Sequence, residues 1–442
     1  MTLSSALIRS TVVAALGGLL FGFDTAVIAG TTAQLQEIFR LSDANLGLTV
    51  ASALVGTILG SLLGGIPGDR YGRRDSLRLM AVLYVASALG CAVAWDWYSL
   101  LFFRLIGGLG IGGSSVLGPM YIAEIAPTKW RGRLVGLFQF NVVAGILIAY
   151  LSNYLVGLAD LGPAEWRWKL GVSALPAAMF FLMLFGIPRS PRWLVSKGRV
   201  DEARQVLRLT EGNGAEAELQ SIVASAKQDD LSRGQPLFSH KFRLPLFLAI
   251  SIAMFNQLSG INAILYYLNS IFAAAGFSKV SGDLQSVAVG VTNLLFTMLA
   301  MSIIDKAGRK TLLLTGSVGT AACLAGVAVI FRSGAHQDLL AWLLVGFIAF
   351  FGFSQGAVIW VYISEIFPTT VRAKGQSLGS FTHWAMNAAI AWTFPVIAAS
   401  SKAAPFVFFA AMMALQFFVV LFFYPETRNV SLEEMQKKLG IA

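Results

Sequence analysis

Asp69-Arg70-Tyr71-Gly72-Arg73-Arg74 follows one long apolar stretch, and roughly 240 residues later Asp305-Lys306-Ala307-Gly308-Arg309-Lys310 follows another. A second pair keeps nearly the same shift. Tyr121-Ile122-Ala123-Glu124-Ile125-Ala126-Pro127-Thr128, with Arg131 beyond it, matches Tyr362-Ile363-Ser364-Glu365-Ile366-Phe367-Pro368-Thr369, with Arg372 beyond it. One such match can arise by chance; two in register mark an internal duplication.

The apolar runs between these motifs say what is duplicated. Of the 442 residues, 56% are apolar and 13% charged, against roughly 25% charged in a soluble domain. Between Arg9 and Glu37 the only charge is Asp24, and nothing charged lies between Arg133 and Asp160, Lys169 and Arg189, or Arg243 and Lys279. A soluble helical core needs polar faces at helical period, and these runs have none. About 20 apolar residues cross a bilayer, which predicts spans near 10–35, 47–68, 76–95, 98–122, 133–156 and 168–187. Six more are predicted near 243–275, 285–304, 311–331, 339–364, 374–399 and 404–424. The polar stretch 188–242 predicts short helices over Asp201–Leu209 and Ala215–Ala226, with Gly212-Asn213-Gly214 breaking them apart. The expected architecture is an all-α integral membrane protein. It has a first half over 1–187, a helical linker over 188–242, a second half over 243–425 and a tail over 426–442.

A net charge of +10 invites a nucleic-acid partner, but the positions of the cations argue against one. Arg70, Arg73, Arg74 and Arg78 crowd one short loop, and Lys129, Arg131 and Arg133 crowd another two spans later. The opposite loops, 94–96 and 335–338, carry few cations. This is the positive-inside pattern; it places both termini in the cytoplasm of a multi-pass protein of the inner (plasma) membrane. The first apolar stretch is too long for a cleaved signal and reads as a retained span. Cys91 and Cys323 fall in spans of different halves, which argues against a disulfide framework. His240, His336 and His383 are scattered and form no metal set. No phosphate-cradling loop of the Walker type is present, so nothing supports ATP-driven transport, and no cofactor is expected. Gly107-Gly108-x-Gly110-x-Gly112-Gly113 lies in an apolar helix, where small residues permit close packing.

Over nearly its whole length the chain resembles the sugar porter family of the major facilitator superfamily, bacterial proton–sugar symporters in particular. The resemblance is carried by Gly22-Phe23-Asp24, Asp69 to Arg74, Arg104-Leu105-Ile106-Gly107-Gly108 and Pro119 to Gly132. It is carried further by Ser190-Pro191-Arg192-Trp193-Leu194, Gln257-Leu258-Ser259-Gly260-Ile261-Asn262 and Pro425-Glu426-Thr427-Arg428. It implies the major facilitator fold, with twelve transmembrane helices in two six-helix halves. It also implies a transporter rather than an enzyme, working as a monomer by alternating access on a monosaccharide and a proton. A passive facilitator and a non-transporting sugar sensor are the alternatives. Facilitators of the family typically carry asparagine where Asp24 stands, and sensors usually carry a long cytoplasmic tail, whereas about seventeen residues follow Pro425. A drug–proton antiporter of this fold would show a Gly-Pro kink in the fifth span; Val135 to Tyr150 has no proline.

Three constellations carry the expected chemistry. A sugar presents hydroxyls that both donate and accept, and neutral amides match that. The candidates are Gln139, Asn256, Gln257, Asn262 and Asn293 with Trp360, and the set extends to Phe21, His383, Trp384 and Asn387. The competing reading is that such amides join helices, at about 0.6 to 2 kcal/mol each. Many relatives have glutamine where Asn256 stands, and an amide where His383 stands. That histidine either meets the sugar or packs as a neutral core residue. Asp24 with Arg104 is the second constellation: an intramembrane carboxylate is costly unless paired, protonated or functional, and the resemblance implies proton coupling there. A static pair joining two spans is the alternative. The third is a cytoplasmic gate of Asp69, Arg73, Glu124, Arg131, Asp305, Arg309, Glu365 and Arg372; topology alone would explain the cations but not the acids. Where the family carries glutamate before Ser-Pro-Arg, this chain has Arg189.

Overall fold

A computed structural model describes residues 4–127, 130–211, 214–229, 236–368, 371–428, 430 and 432–441. Thr128, Lys129, Gly212, Asn213 and Thr369, named above, lie outside them. Among the described residues the regular structure is all helical, joined by turns and short loops. In chain order the helices are α1 (Ser5–Val27), α2 (Thr32–Ile38), α3 (Asp43–Leu63), α4 (Gly65–Tyr71), α5 (Arg73–Ala92), α6 (Trp97–Ile125) and α7 (Arg131–Leu158). Then come α8 (Glu165–Gly171), α9 (Ala174–Met183), α10 (Pro191–Ser196), α11 (Val200–Glu211) and α12 (Ala215–Asp229). The rest are α13 (Arg243–Leu258), α14 (Ile261–Tyr266), α15 (Leu268–Ala274), α16 (Lys279–Ala307), α17 (Arg309–Ser333), α18 (Leu340–Phe353), α19 (Gln355–Ile366), α20 (Arg372–Ser400), α21 (Ala404–Phe423) and α22 (Leu432–Lys438).

Eleven helical stretches among the described residues are long and apolar enough to cross a membrane. The twelfth, α20, has the length but carries Gln376, Thr382, His383 and Asn387 along it. The expected spans are present, with their ends moved for identifiable reasons. The first stops at Val27 rather than near 35, where the Asn153 amide donates to the Val27 carbonyl (3.1 Å) and fills the space beside Gly30. The seventh is three short helices, α13 to α15. The tenth breaks at Ser354, whose hydroxyl bonds back to the Phe350 carbonyl (2.7 Å) and occupies the space a side chain on Gly316 would need.

The duplication extends to the backbone. Gly72 (φ 92°, ψ 157°) ends α4 and starts α5, and Gly308 (φ 88°, ψ 152°) ends α16 and starts α17. That conformation is open to glycine and strained for other residues, which accounts for a glycine in both copies.

The chain forms two compact units. The first comprises Met1–Thr25, Ser52–Ala149 and Arg167–Gly234. In it α5 packs along α6 and α9. The span-4 glycines are seams, as expected: a Cβ on Gly108 would fall 1.9 Å from the Ala53 carbonyl oxygen, and one on Gly112 would fall 2.1 Å from that of Thr57. Helices α10 to α12 have a small core of their own built on Trp193, Leu194, Val206, Leu207, Leu219 and Ile222, so the described helices of the linker pack on one another. The second unit comprises Ala26–Ala51, Tyr150–Trp166 and Gln235–Ala442. Its core gathers Ile252, Leu313, Ile359, Tyr362, Phe367 and Tyr424, and Met435 of α22 and Leu439 just past its end close it. Cys91 and Cys323 are free thiols.

Candidate functional site

The seventh span breaks where the sequence places its glycine. Gly260 has φ +80° and a Cβ there would lie 2.3 Å from the Phe409 ring, so neither the conformation nor the space admits a side chain. The break sets Asn256 and Gln257 in the last turn of α13 and Asn262 in the first turn of α14, and their side chains still meet. Asn262 Nδ2 donates to Gln257 Oε1 (3.0 Å), and Gln257 Nε2 donates to Asn256 Oδ1 (3.0 Å). The same Nε2 faces the His383 ring, 3.2 Å from each ring nitrogen. His383 is flanked by Trp360 at 5.2 Å and meets Trp384 edge-on at 5.0 Å. Asn256, Gln257, His383 and Trp384 are buried, whereas Trp360, against the His383 ring, is 38% exposed.

Two further candidates sit apart from this chain of amides. Asn387, one turn beyond His383, donates to the Tyr266 hydroxyl (3.0 Å). Asn293 on α16 accepts from Thr297 one turn on (3.4 Å). Tyr266 was not among the sequence candidates, because a tyrosine in an apolar run reads as core. A buried pair, Gln355 Nε2 donating to Gln416 Oε1 (2.8 Å), is a bond between α19 and α21 that fits the helix-joining reading of intramembrane amides.

In the first unit, Asp24 and the buried Arg104 line one small cavity with Tyr84, Ser87, Cys91 and Ser173. Its space for water centres is about 20 Å³, enough for about one water molecule. Asp24 and Arg104 thus face the same small space. The glycine two residues earlier is a packing residue, since a Cβ on Gly22 would fall 1.8 Å from the Val142 carbonyl oxygen, so α1 touches α7 backbone to backbone just before the carboxylate. Phe21 packs on the first unit's core. Gln139 on α7 is half-buried.

The gate candidates form the same figure in each unit. Arg73 bonds Glu124 (2.9 Å) and Asp69 (3.0 Å); Arg309 bonds Glu365 (2.8 Å) and Asp305 (2.9 Å). A hydroxyl outside the helix pair completes each: Ser190 donates to Glu124, and Thr427 donates to Glu365 (2.6 Å). Arg131 and Arg372 donate to backbone carbonyls, at Ala123 (3.1 Å) and Phe367 (3.3 Å). Ser190 and Thr427 thus fill one role in motifs that look unrelated in sequence, Ser-Pro-Arg-Trp-Leu and Pro-Glu-Thr-Arg.

The residues just before these hydroxyls differ in sign. Glu426 accepts from the backbone N–H groups of Arg309 (2.9 Å) and Lys310 (3.0 Å), capping the start of α17 with its carboxylate. At the matching place in the first unit stands Arg189. It binds Asp75 (3.0 Å) in the first turn of α5, and Asp75 also takes Arg74 (3.1 Å) and Arg78 (2.7 Å). Trp193 follows, donating to the Asp69 carbonyl (3.0 Å) and stacking over Gly72. The linker therefore docks beside the first of these charge clusters through an acid supplied by α5.

Residues 10–439 match the Sugar (and other) transporter family. The chain is 35% identical to the D-xylose-proton symporter of Escherichia coli over 470 residues, covering 98% of this chain and 96% of that protein. It is 38% identical to the arabinose-proton symporter of Bacillus subtilis over 432 residues, covering 96% and 93%. Among solved structures it is similar to the xylose transporter of Escherichia coli in a partially occluded inward-open conformation. That match has a TM-score of 0.87 at 34% identity and covers 97% of this chain and 100% of that one.

Proposed function

Because the chain belongs to the sugar transporter family, we propose that it carries a monosaccharide through the inner membrane together with a proton, by alternating access. The observation that carries the sugar assignment is the continuous run of side chains Asn256–Gln257–Asn262–His383 beside the part-exposed Trp360. Each group both donates and accepts, as a sugar hydroxyl does, and the indole can cover a C–H face of the ring. A bound sugar takes over these bonds at about 1 kcal/mol net each. Relatives named for xylose and arabinose place pentoses first among the substrates to test.

Proton coupling is assigned to Asp24. Its carboxylate shares a water-sized cavity with Arg104, so a change in their separation between states changes the proton affinity of Asp24. Downhill movement of one proton supplies about 2.3 kcal/mol per 100 mV, enough for severalfold accumulation. The paired figures at Arg73–Glu124 and Arg309–Glu365 are assigned to closure of the cytoplasmic side, the two halves 1–187 and 243–425 rocking as a monomer around the sugar. Both termini lie in the cytoplasm in this reading, and Phe21, Gln139, Asn293, Trp384 and Asn387 complete the binding residues.

The test is uptake by proteoliposomes of a panel of pentoses and hexoses, with and without an imposed pH gradient. Symport predicts uptake of at least one monosaccharide above its equilibrium level with the gradient, and alkalinisation of the outside as sugar enters. Equilibration without accumulation or alkalinisation would make the protein a passive facilitator, and no uptake of any sugar would refute the assignment.

A further inference from the structure

The gate ion pairs each join helices of one sequence half; one ion pair in the second unit does otherwise. That unit includes 26–51 and 150–166 from the first half of the sequence, and four polar contacts fasten them to the second half. Thr32 Oγ1 meets Ser270 Oγ (3.0 Å), the Tyr150 hydroxyl donates to the Leu265 carbonyl (2.8 Å), and Trp392 Nε1 donates to the Ala44 carbonyl (3.2 Å). The fourth is an ion pair between Lys279 and Glu165. All four lie in the half of the spans remote from the gate motifs, the ion pair at the start of α16 and the Tyr150 bond deeper within the helices.

We propose that the Glu165–Lys279 ion pair is the latch of the outer closure, a positioning pair that sets how often the transporter opens outward. The proposal rests on the alternating-access reading above. The placement of the charges supports a latch over a chance surface pair. Glu165 is 1% exposed, so its charge needs a partner wherever it stays out of water. Lys279 is 52% exposed and is the first residue of α16, where a cation faces the positive end of the helix dipole. Glu165 supplies the anion that offsets it. Separating 150–166 from α16 returns the carboxylate to water and leaves the lysine unbalanced, so the pair favours closure without preventing opening. The other three contacts are neutral, and two use backbone carbonyls, so charge-neutralising substitutions at 165 and 279 weaken the latch alone.

The labelling readout needs neither sugar nor gradient. Ser270→Cys, behind Thr32, is introduced into a Cys91→Ala/Cys323→Ala background and labelled in intact cells with a membrane-impermeant maleimide. Glu165→Gln and Lys279→Gln should each speed labelling about twofold to fivefold, the shift expected of a partly exposed pair, and Lys279→Arg should label as the parent does. The two neutral variants should also lower the KM for uptake from outside, because more sites face outward. Unchanged labelling and KM in both neutral variants, or equal acceleration in Lys279→Arg, would overturn the latch. Labelling of Ser270→Cys from the cytoplasmic face alone, in inside-out vesicles, would overturn it as well. Failure of the sugar-uptake panel alone would refute the transport reading and leave the labelling result standing.

Discussion

Asp75→Asn tests how the linker is held against the first gate. Asp75 lies among three guanidinium groups, Arg74 at 3.1 Å, Arg78 at 2.7 Å and Arg189 at 3.0 Å, with arginine side chains 17% to 32% exposed. A unit pair at about 3 Å and an effective dielectric of about 20 interacts by about 5 kcal/mol as an upper bound. Partly exposed pairs retain about 0.5–1 kcal/mol each once desolvation and side-chain entropy are counted. Three such pairs, and three arginines left facing one another, give an expected loss of about 2–4 kcal/mol. Arg189→Gln removes one pair and leaves Asp75 with two, so it should cost about 1 kcal/mol. Adding Arg189→Gln to Asp75→Asn should recover part of the loss by removing the cation with no remaining partner. The assay is amide hydrogen exchange at Trp193 and Leu194 of α10, where about 2 kcal/mol is a roughly thirtyfold loss of protection. Equal effects of the two single variants, or no recovery in the double variant, would refute the assignment of Asp75 as the acid that docks the linker.

Three other outcomes follow from the geometry. Gly260→Ala should destabilise the second unit by about 2–4 kcal/mol, from the left-handed backbone and the overlap with Phe409, read as a lower unfolding midpoint in detergent with weaker sugar binding. Gln257→Leu cuts the run between Asn256, Asn262 and His383; sugar affinity by calorimetry should fall at least about tenfold while the fold is kept. Glu426→Gln weakens the cap on α17 and should cost about 1–2 kcal/mol, seen as faster exchange of the Arg309 and Lys310 amides.

What could be read in the sequence was whatever depends on one residue's intrinsic properties. Gly260 inside an apolar run announces a helix break because it tolerates a backbone that other residues do not. The paired motifs announce the gates because their charges cannot be buried casually. The tenth-span break was hidden, since Ser354 breaks α18 from α19 through its bond to Phe350 and its fit against Gly316, a contact far along the chain. Ser190 and Thr427 were visible as members of two motifs, but their shared role needs both backbones in place. Arg189 stood out as a departure, while its partner Asp75 looked like one more charge in a basic loop. Lys279 closes an uncharged run and Glu165 lies between two expected spans, more than a hundred residues away, so only tertiary packing brings them together.

If Asp24 couples proton movement to sugar movement, Asp24→Asn separates the two. In proteoliposomes with an inward proton gradient, the variant should exchange labelled for unlabelled sugar at near-parental rates in counterflow and yet show no accumulation above equilibrium. Accumulation that persists in Asp24→Asn at the parental level would mean that another group carries the proton.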